Sequence, residues 1–285
     1  MNEITIASRG SRLALVQDEI VEKELKKHSC TAKRVLITTK GDMDRTTALK
    51  KIGGNGLFVR EIEAALASGL ADAAVHSAKD LPYELSPDMT IGAVVKAADP
   101  SDYLVIKNGH AREIKIIGTG SARRAYSIKR LYPDAEIKNI RGNVETRLEK
   151  LTCGDYDAIV IAKAGIDRLG IGLNGFTVRR FTPDEMIPAC GQGIIAVECR
   201  KDDKNTISIL KKITDAETAK RFTAERYLFE LMKADCSMAV GVHAEISGDR
   251  LKISGLFADQ CASRSGKYWD YRRLCREIAD EIYFK

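Results

Sequence analysis

The sequence predicts an α/β fold in two successive units, followed by a small α+β unit. Three observations carry this. Short apolar, β-branched runs alternate with segments of helical period through the first two-thirds of the chain. That series restarts near residue 99, after the turn-rich Ala98-Asp99-Pro100-Ser101. Beyond residue 214 the pattern changes to helix, hairpin, helix. Alternating strands and helices imply layers of helix on a mostly parallel sheet, and 285 residues can bury two or three cores. The expected domains are 1–97 with 192–213, 98–191 and 214–285.

In order, residues 4–7 read as a strand. Ser11 caps the helix after it, with Leu13, Val16 and Ile20 at helical spacing on one face. Residues 35–39 form a β-branched run. Residues 57–68 are helical with Phe58, Ile62 and Leu66 on one stripe, and 73–76 and 91–95 are strands. The second unit has strands at 103–106, 114–117, 137–140 and 158–162, with helices from Ser121 and over 144–151. Residues 177–192 contain Pro183, Pro188 and Gly191 without a period, and read as a return crossing into a strand at 194–199. A long helix over 215–233 carries Phe222, Leu228 and Leu231. Strands 240–246 and 251–256 turn at Ser247-Gly248-Asp249, and a helix over 270–283 ends the chain. No long internal repeat is evident.

Composition narrows the function classes. No apolar run reaches the length of a membrane span, and the first residues lack a basic segment leading into an apolar one. A cytoplasmic protein with no membrane partner is expected. The net charge of +6 is modest and no run of about five or more like charges occurs. It suits anionic ligands if the bases converge, and it makes no case for nucleic acid. The seven cysteines have no C-x-x-C pair, so no zinc or other metal site is expected. Most should be buried core residues, and spacing does not single out a reactive one. His28, His110 and His243 read as isolated, and Trp269 as a packing residue.

Three segments share one design: a strand end, a tight polar turn, then a helix start with arginine. They are Ser8-Arg9-Gly10-Ser11-Arg12, Gly118-Thr119-Gly120-Ser121-Ala122-Arg123-Arg124, and Arg141-Gly142-Asn143 with Arg147 beyond it. Helix N-termini offer unpaired N–H donors to anions, and guanidinium forks match carboxylates. In parallel sheets such turns lie at the carboxyl ends of the strands, where ligands bind. None fits a nucleotide loop. A fourth segment, Val75-His76-Ser77-Ala78-Lys79-Asp80-Leu81-Pro82, ends an apolar strand in titratable residues. A carboxylate there suits a developing cation or a proton transfer. The plainer reading is a strand-end turn with an ordinary Lys–Asp pair.

The motifs resemble those of the porphobilinogen deaminases. The resemblance runs over 4–255 and is carried by residues 7–17, 56–63, 75–82, 118–124, 140–148, 164–170, Gly191-Gln192-Gly193 and Thr223-Ala224-Glu225-Arg226. It implies two lobes of the periplasmic-binding-protein type with the active site between them, and a third domain carrying a covalent dipyrromethane cofactor. The implied activity is head-to-tail condensation of four porphobilinogens with loss of ammonia, through a cationic azafulvene, then release of linear hydroxymethylbilane. By motif, Cys236 binds the cofactor as a thioether and Asp80 is the catalytic carboxylate. Lys79, Ser121, Arg123, Arg124 and Arg147 hold cofactor carboxylates. Arg9, Ser11, Arg141 and Arg168 grip the substrate. A monomer is implied. Ala234-Asp235 stand where the family usually has glycines, and Asn55 where lysine is frequent. The competing expectation is a two-lobe binding protein for small polycarboxylates that performs no chemistry.

Overall fold

The computed structural model describes residues 2–38, 59–108, 114–233 and 238–283. Asn55, Phe58, His110 and Cys236, expected from the motifs to carry the cofactor, lie outside the described residues. Elements are numbered over the described chain. The first lobe begins with β1 (Asn2–Ser8), α1 (Arg12–Lys27), β2 (Cys30–Leu36), α2 (Arg60–Ala67), β3 (Ala73–Ser77) and β4 (Met89–Val94). The second comprises β5 (Asp102–Lys107), β6 (Ile116–Gly118), α3 (Ala122–Leu131), β7 (Glu136–Lys138), α4 (Val144–Cys153), β8 (Ala158–Ala162), α5 (Lys163–Leu169) and β9 (Phe176–Arg180). Next, β10 (Ile195–Arg200) returns to the first sheet, followed by α6 (Lys204–Lys211) and α7 (Ala216–Met232). The last unit is β11 (Val240–Ser247), β12 (Arg250–Phe257), β13 (Gln260–Lys267) and α8 (Tyr271–Tyr283).

Each lobe holds a five-stranded sheet, ordered β2-β1-β3-β10-β4 in one and β7-β6-β8-β5-β9 in the other. The two orders are the same topology. In each, a first strand is flanked by two parallel neighbours, and the fourth place goes to a strand arriving from the other lobe. That visitor, β10 or β5, is antiparallel to both of its neighbours. The sheets are therefore mixed rather than mostly parallel. The repeat is topological, and its trace in the sequence is short: the Gly-Ser turns after β1 and β6, in which Ser11 and Ser121 cap the next helix.

Ile4, Ile6, Ala73, Val75 and Val197 pack against Val21 and Leu25 of α1 in the first lobe. Leu104, Ile117, Val160 and Ile128 fill one face of the second sheet. The third unit closes on Leu228, Val242, Ile253 and Ile278. Each such side chain stabilises the fold by roughly 1.5–3 kcal/mol relative to exposure.

Several expectations are corrected. The buried residues of α1 are Gln17, Asp18, Val21 and Leu25, not the Leu13–Val16–Ile20 stripe. The helix starts over the cleft between the lobes. Leu13 lines that cleft, and Arg12 bonds Glu145 and the Leu169 carbonyl of the second lobe. β2 starts at Cys30, earlier than the β-branched run. It is an edge strand whose Lys33 and Arg34 pair with Glu3 and with Asp18 and Glu22, so charge masks its alternation. Residues 177–192 open within an edge strand, β9, three of whose five side chains are exposed. Short α5 and α6 gave no distinct helical signal. The third unit has a third strand, β13, paired with β12 along its whole length although only Ala262 in it is buried. His243 is buried with Nδ1 3.4 Å from Glu225, and Trp269 lies exposed under the Lys267 ammonium rather than in a core.

Candidate active site

The Lys79-Asp80 segment is placed by a fully framed strand. β3 lies between β1 and β10 and ends in a single tight turn, Ala78–Asp80. His76 turns inward, its Nε2 3.0 Å from Glu198 on β10, and both are buried. Ser77 accepts a hydrogen bond of 2.7 Å from Gln17. Asp80 then emerges exposed while Lys79 stays half-buried. Burial pushes the Lys79 ammonium down to about 8. Arg124 and Arg123 add to that shift, whereas Asp80 and Asp102 oppose it.

The second lobe supplies the arginines. Ser121 caps α3, its Oγ accepting from the Arg124 amide, and Asn143 caps α4 in the same way at 2.8 Å. Arg123 and Arg124 are both buried. Arg123 reaches Asp102 at 2.8 Å and donates to the Ile187 carbonyl, also at 2.8 Å. Arg124 donates twice to Asp102, at 3.1 and 2.7 Å, and once to the Val160 carbonyl. Burial alone would raise the Asp102 pKa, but Arg123 and Arg124, with Lys79 behind them, hold it down to about 2. Arg147 donates to the Gly142 carbonyl at 2.8 Å. Burial brings it down to about 10, with Arg124 adding to the effect and Asp80, from the opposite lobe, opposing it.

Arg168 on α5 donates to the Gly193 carbonyl at 2.7 Å, and burial lowers it to about 10 against Asp167. Arg168 and Lys79 line one small cavity together with Ser77, Leu13, Gln192 and Gly193. The structure thus brings Lys79, Asp80, Arg123, Arg124 and Arg147 into one electrostatic cluster, with Arg168 at its edge. Arg9 and Arg141 occupy the turns after β1 and β7, half-buried. The Ser11 hydroxyl caps α1, accepting from the Ala14 amide at 3.3 Å. Among the described residues, no contact joins Ser11 or Arg141 to the cluster.

Asp102, the carboxylate on which two arginines converge, was missed in the sequence, as were Gln192 and Glu225. The signals were slight. Asp102 is an acid opening an otherwise apolar strand directly after the hinge, and Gln192 is a lone amide between two glycines.

The dipyrromethane implied by the motifs carries an acetate and a propionate on each pyrrole, so it brings four carboxylates. Lys79, Arg123, Arg124 and Arg147 face only Asp80 and Asp102 within the cluster. Desolvated cations in excess of their carboxylates fit a polycarboxylate ligand. Cysteine burial points the same way. Cys30, Cys190, Cys199 and Cys275 are buried thiols pushed upward by desolvation, Cys199 to about 11 and Cys275 to about 12. Such thiols are poor nucleophiles, which removes four of the seven as attachment points.

The comparisons with known proteins agree with this geometry. A family model described as porphobilinogen deaminase, dipyromethane cofactor binding domain, matches residues 4–208. The porphobilinogen deaminase of Shouchella clausii is 42% identical over 289 residues, covering 99% of this chain and 91% of its own. That of Roseiflexus castenholzii is 42% identical, covering 99% and 96%, and that of Clostridium beijerinckii 40% identical, covering 99% of each. With a family model matching residues 4–208 and relatives about 40% identical along nearly the whole chain, this protein belongs to the porphobilinogen deaminase family.

Proposed function

We propose that this chain, as a transferase of that family, condenses four porphobilinogen molecules head to tail with loss of ammonia and releases hydroxymethylbilane. The observation that carries the residue assignment is Asp80: an exposed carboxylate on a rigid strand end, beside Lys79 and electrostatically tied to Arg147 across the cleft. As the aminomethyl C–N bond of a bound substrate breaks, positive charge develops on its pyrrole ring. Asp80 accepts the pyrrole N–H and stabilises that charge without reorganising.

Lys79, Ser121, Arg123, Arg124 and Arg147 hold the cofactor carboxylates in this reading. Arg123 and Arg124 keep N–H donors beyond those given to Asp102 and the two carbonyls. Arg9, Ser11, Arg141 and Arg168 grip the incoming acetate and propionate. Bound through Cys236, the dipyrromethane would supply the first carbon nucleophile, and each later substrate would join the free α-carbon of the chain built on it. The domain limits 1–97 with 192–213, 98–191 and 214–285 go with this proposal, supported by the sheet to which each strand belongs. A single chain supplies every residue named, which supports a monomer.

Asp80→Asn tests the central assignment. The variant keeps its charged arginines and its covalent adduct, and its ammonia release falls by about 100-fold or more. A rate near that of the unaltered enzyme removes Asp80 from this role.

A further inference from the structure

Gly191-Gln192-Gly193 takes no part in the chemistry above, yet it contacts Asp102, Arg168 and the turn that carries Lys79 and Asp80. It lies on the chain's return from the second lobe to β10. Gly191 has φ +70°, and a Cβ there would sit 2.8 Å from the Ala78 side chain and 3.0 Å from the Ala78 carbonyl carbon. Its backbone therefore lies flat against the turn that carries Lys79 and Asp80. Gly193 has φ +86°, and its Cβ would meet the Ala98 carbonyl oxygen at 2.4 Å. That closeness joins the return crossing to the outgoing one. The Gly193 carbonyl also accepts from the Ala98 amide at 2.9 Å and from Arg168 at 2.7 Å.

Between the two glycines, Gln192 is 1% exposed. Its Nε2 donates to the Pro100 carbonyl and to Asp102 Oδ1, the latter at 3.1 Å. Two acceptors on one side fix which end of the amide is nitrogen, and Oε1 has no partner among the described residues. The third unit holds this tripeptide from behind. Glu225 accepts from the Gly191 amide at 2.7 Å, and Arg221 donates to the Gln192 carbonyl at 2.7 Å. The charged groups around Gln192 are thus Asp102, Lys79, Arg168, Arg221 and Glu225.

We propose that Gln192 is a positioning residue for the condensation. Its amide fixes the Asp102 carboxylate, and through it Arg123 and Arg124, relative to the turn that presents Asp80. One side chain thereby sets the register between the anion cradle of the second lobe and the reactive carboxylate of the first. The inference rests on the proposed roles of Asp80 and the two arginines.

The test is a double-mutant cycle on the purified holoenzyme, reading porphobilinogen-dependent ammonia release. Gln192→Met keeps the volume and removes both hydrogen bonds. Misplacement of reacting groups by an ångström costs up to about 100-fold, so kcat falls about 10- to 100-fold while KM stays within about twofold. Hydrogen exchange at the Ala98 amide quickens, because the crossing it pins has lost its clasp. In an Asp80→Asn background the same substitution costs less than about threefold, since groups acting as a unit are non-additive. Should the Met variant fail to fold, Gln192→Asn, one methylene short of both acceptors, is read in the same cycle. A kcat within about twofold of the unaltered enzyme, or a full multiplicative loss on top of Asp80→Asn, overturns the proposal. Absence of ammonia release from the unaltered enzyme overturns the proposed function instead.

Discussion

Lys79 sits half-buried among two arginines and two carboxylates, and a pKa of about 8 places its loss of charge just above neutrality. The sign is that of a depressed base: the ammonium is present below about 8 and neutral above it. A grip on carboxylates that depends on this ammonium weakens as the pH rises through that value. We expect uptake of the polycarboxylate cofactor by the cofactor-free protein to decline from about pH 7 to about pH 9. In Lys79→Arg, whose charge persists across that range, this limb should be flat. An unchanged decline in the Arg variant assigns the limb to another group. At the same scale, the His-Ser-Ala-Lys-Asp run was legible as a place for chemistry, but its division of labour was not. Only the sheet register shows that His76 faces Glu198 in the interior while Asp80 faces the cleft.

The crossings between the lobes are the elements on which the site depends most, and they were the hardest to read. A crossing needs neither helical nor strand period, so residues 181–194 carried only prolines and glycines as signals. Two glycines there are required by contact rather than by flexibility. Gly193→Ala puts a Cβ against the Ala98 carbonyl in a left-handed backbone. It should lower stability by about 1–3 kcal/mol and reduce turnover in proportion to the strain transmitted to Arg168. Urea denaturation measures the first effect, and a variant as stable as the parent would show that the crossings tolerate separation. Buried strands were legible wherever apolar runs were complete, as at β8, whose five residues are all buried. Edge strands β2, β9 and β13 were not, or only in part. Their open faces take charged and hydroxyl side chains, and pairing rather than sequence period decides their extent. The helix α7 was legible by its length. Its function as a brace was not, since Glu225 and Arg226 in Thr-Ala-Glu-Arg bond backbone groups far away in sequence: the Gly191 amide, and the Pro82 and Tyr83 carbonyls just after Asp80.

Across the whole molecule, two lobes of one topology exchange a strand each, and the third unit clamps the point of exchange. This layout explains why Asp80 and the arginines of the second lobe, contributed by different sheets, interact without lying near in sequence. It also explains why a net charge of +6 misleads when taken as a global property. The surface ion pairs largely offset one another, and the functional excess of positive charge is local to Lys79, Arg123, Arg124 and Arg147. The lobes were expected from the alternation of runs and from the family motifs. Their shared strand order was not, because topology can repeat where residues do not. The central claim is that this cationic cleft exists to hold a covalent pyrrole cofactor on Cys236, and intact-protein mass spectrometry of the purified, active enzyme tests it most directly. The account predicts the polypeptide mass plus two deaminated porphobilinogen units, with the increment lost in Cys236→Ser. An active enzyme at the bare polypeptide mass, or an adduct that survives in Cys236→Ser, contradicts it.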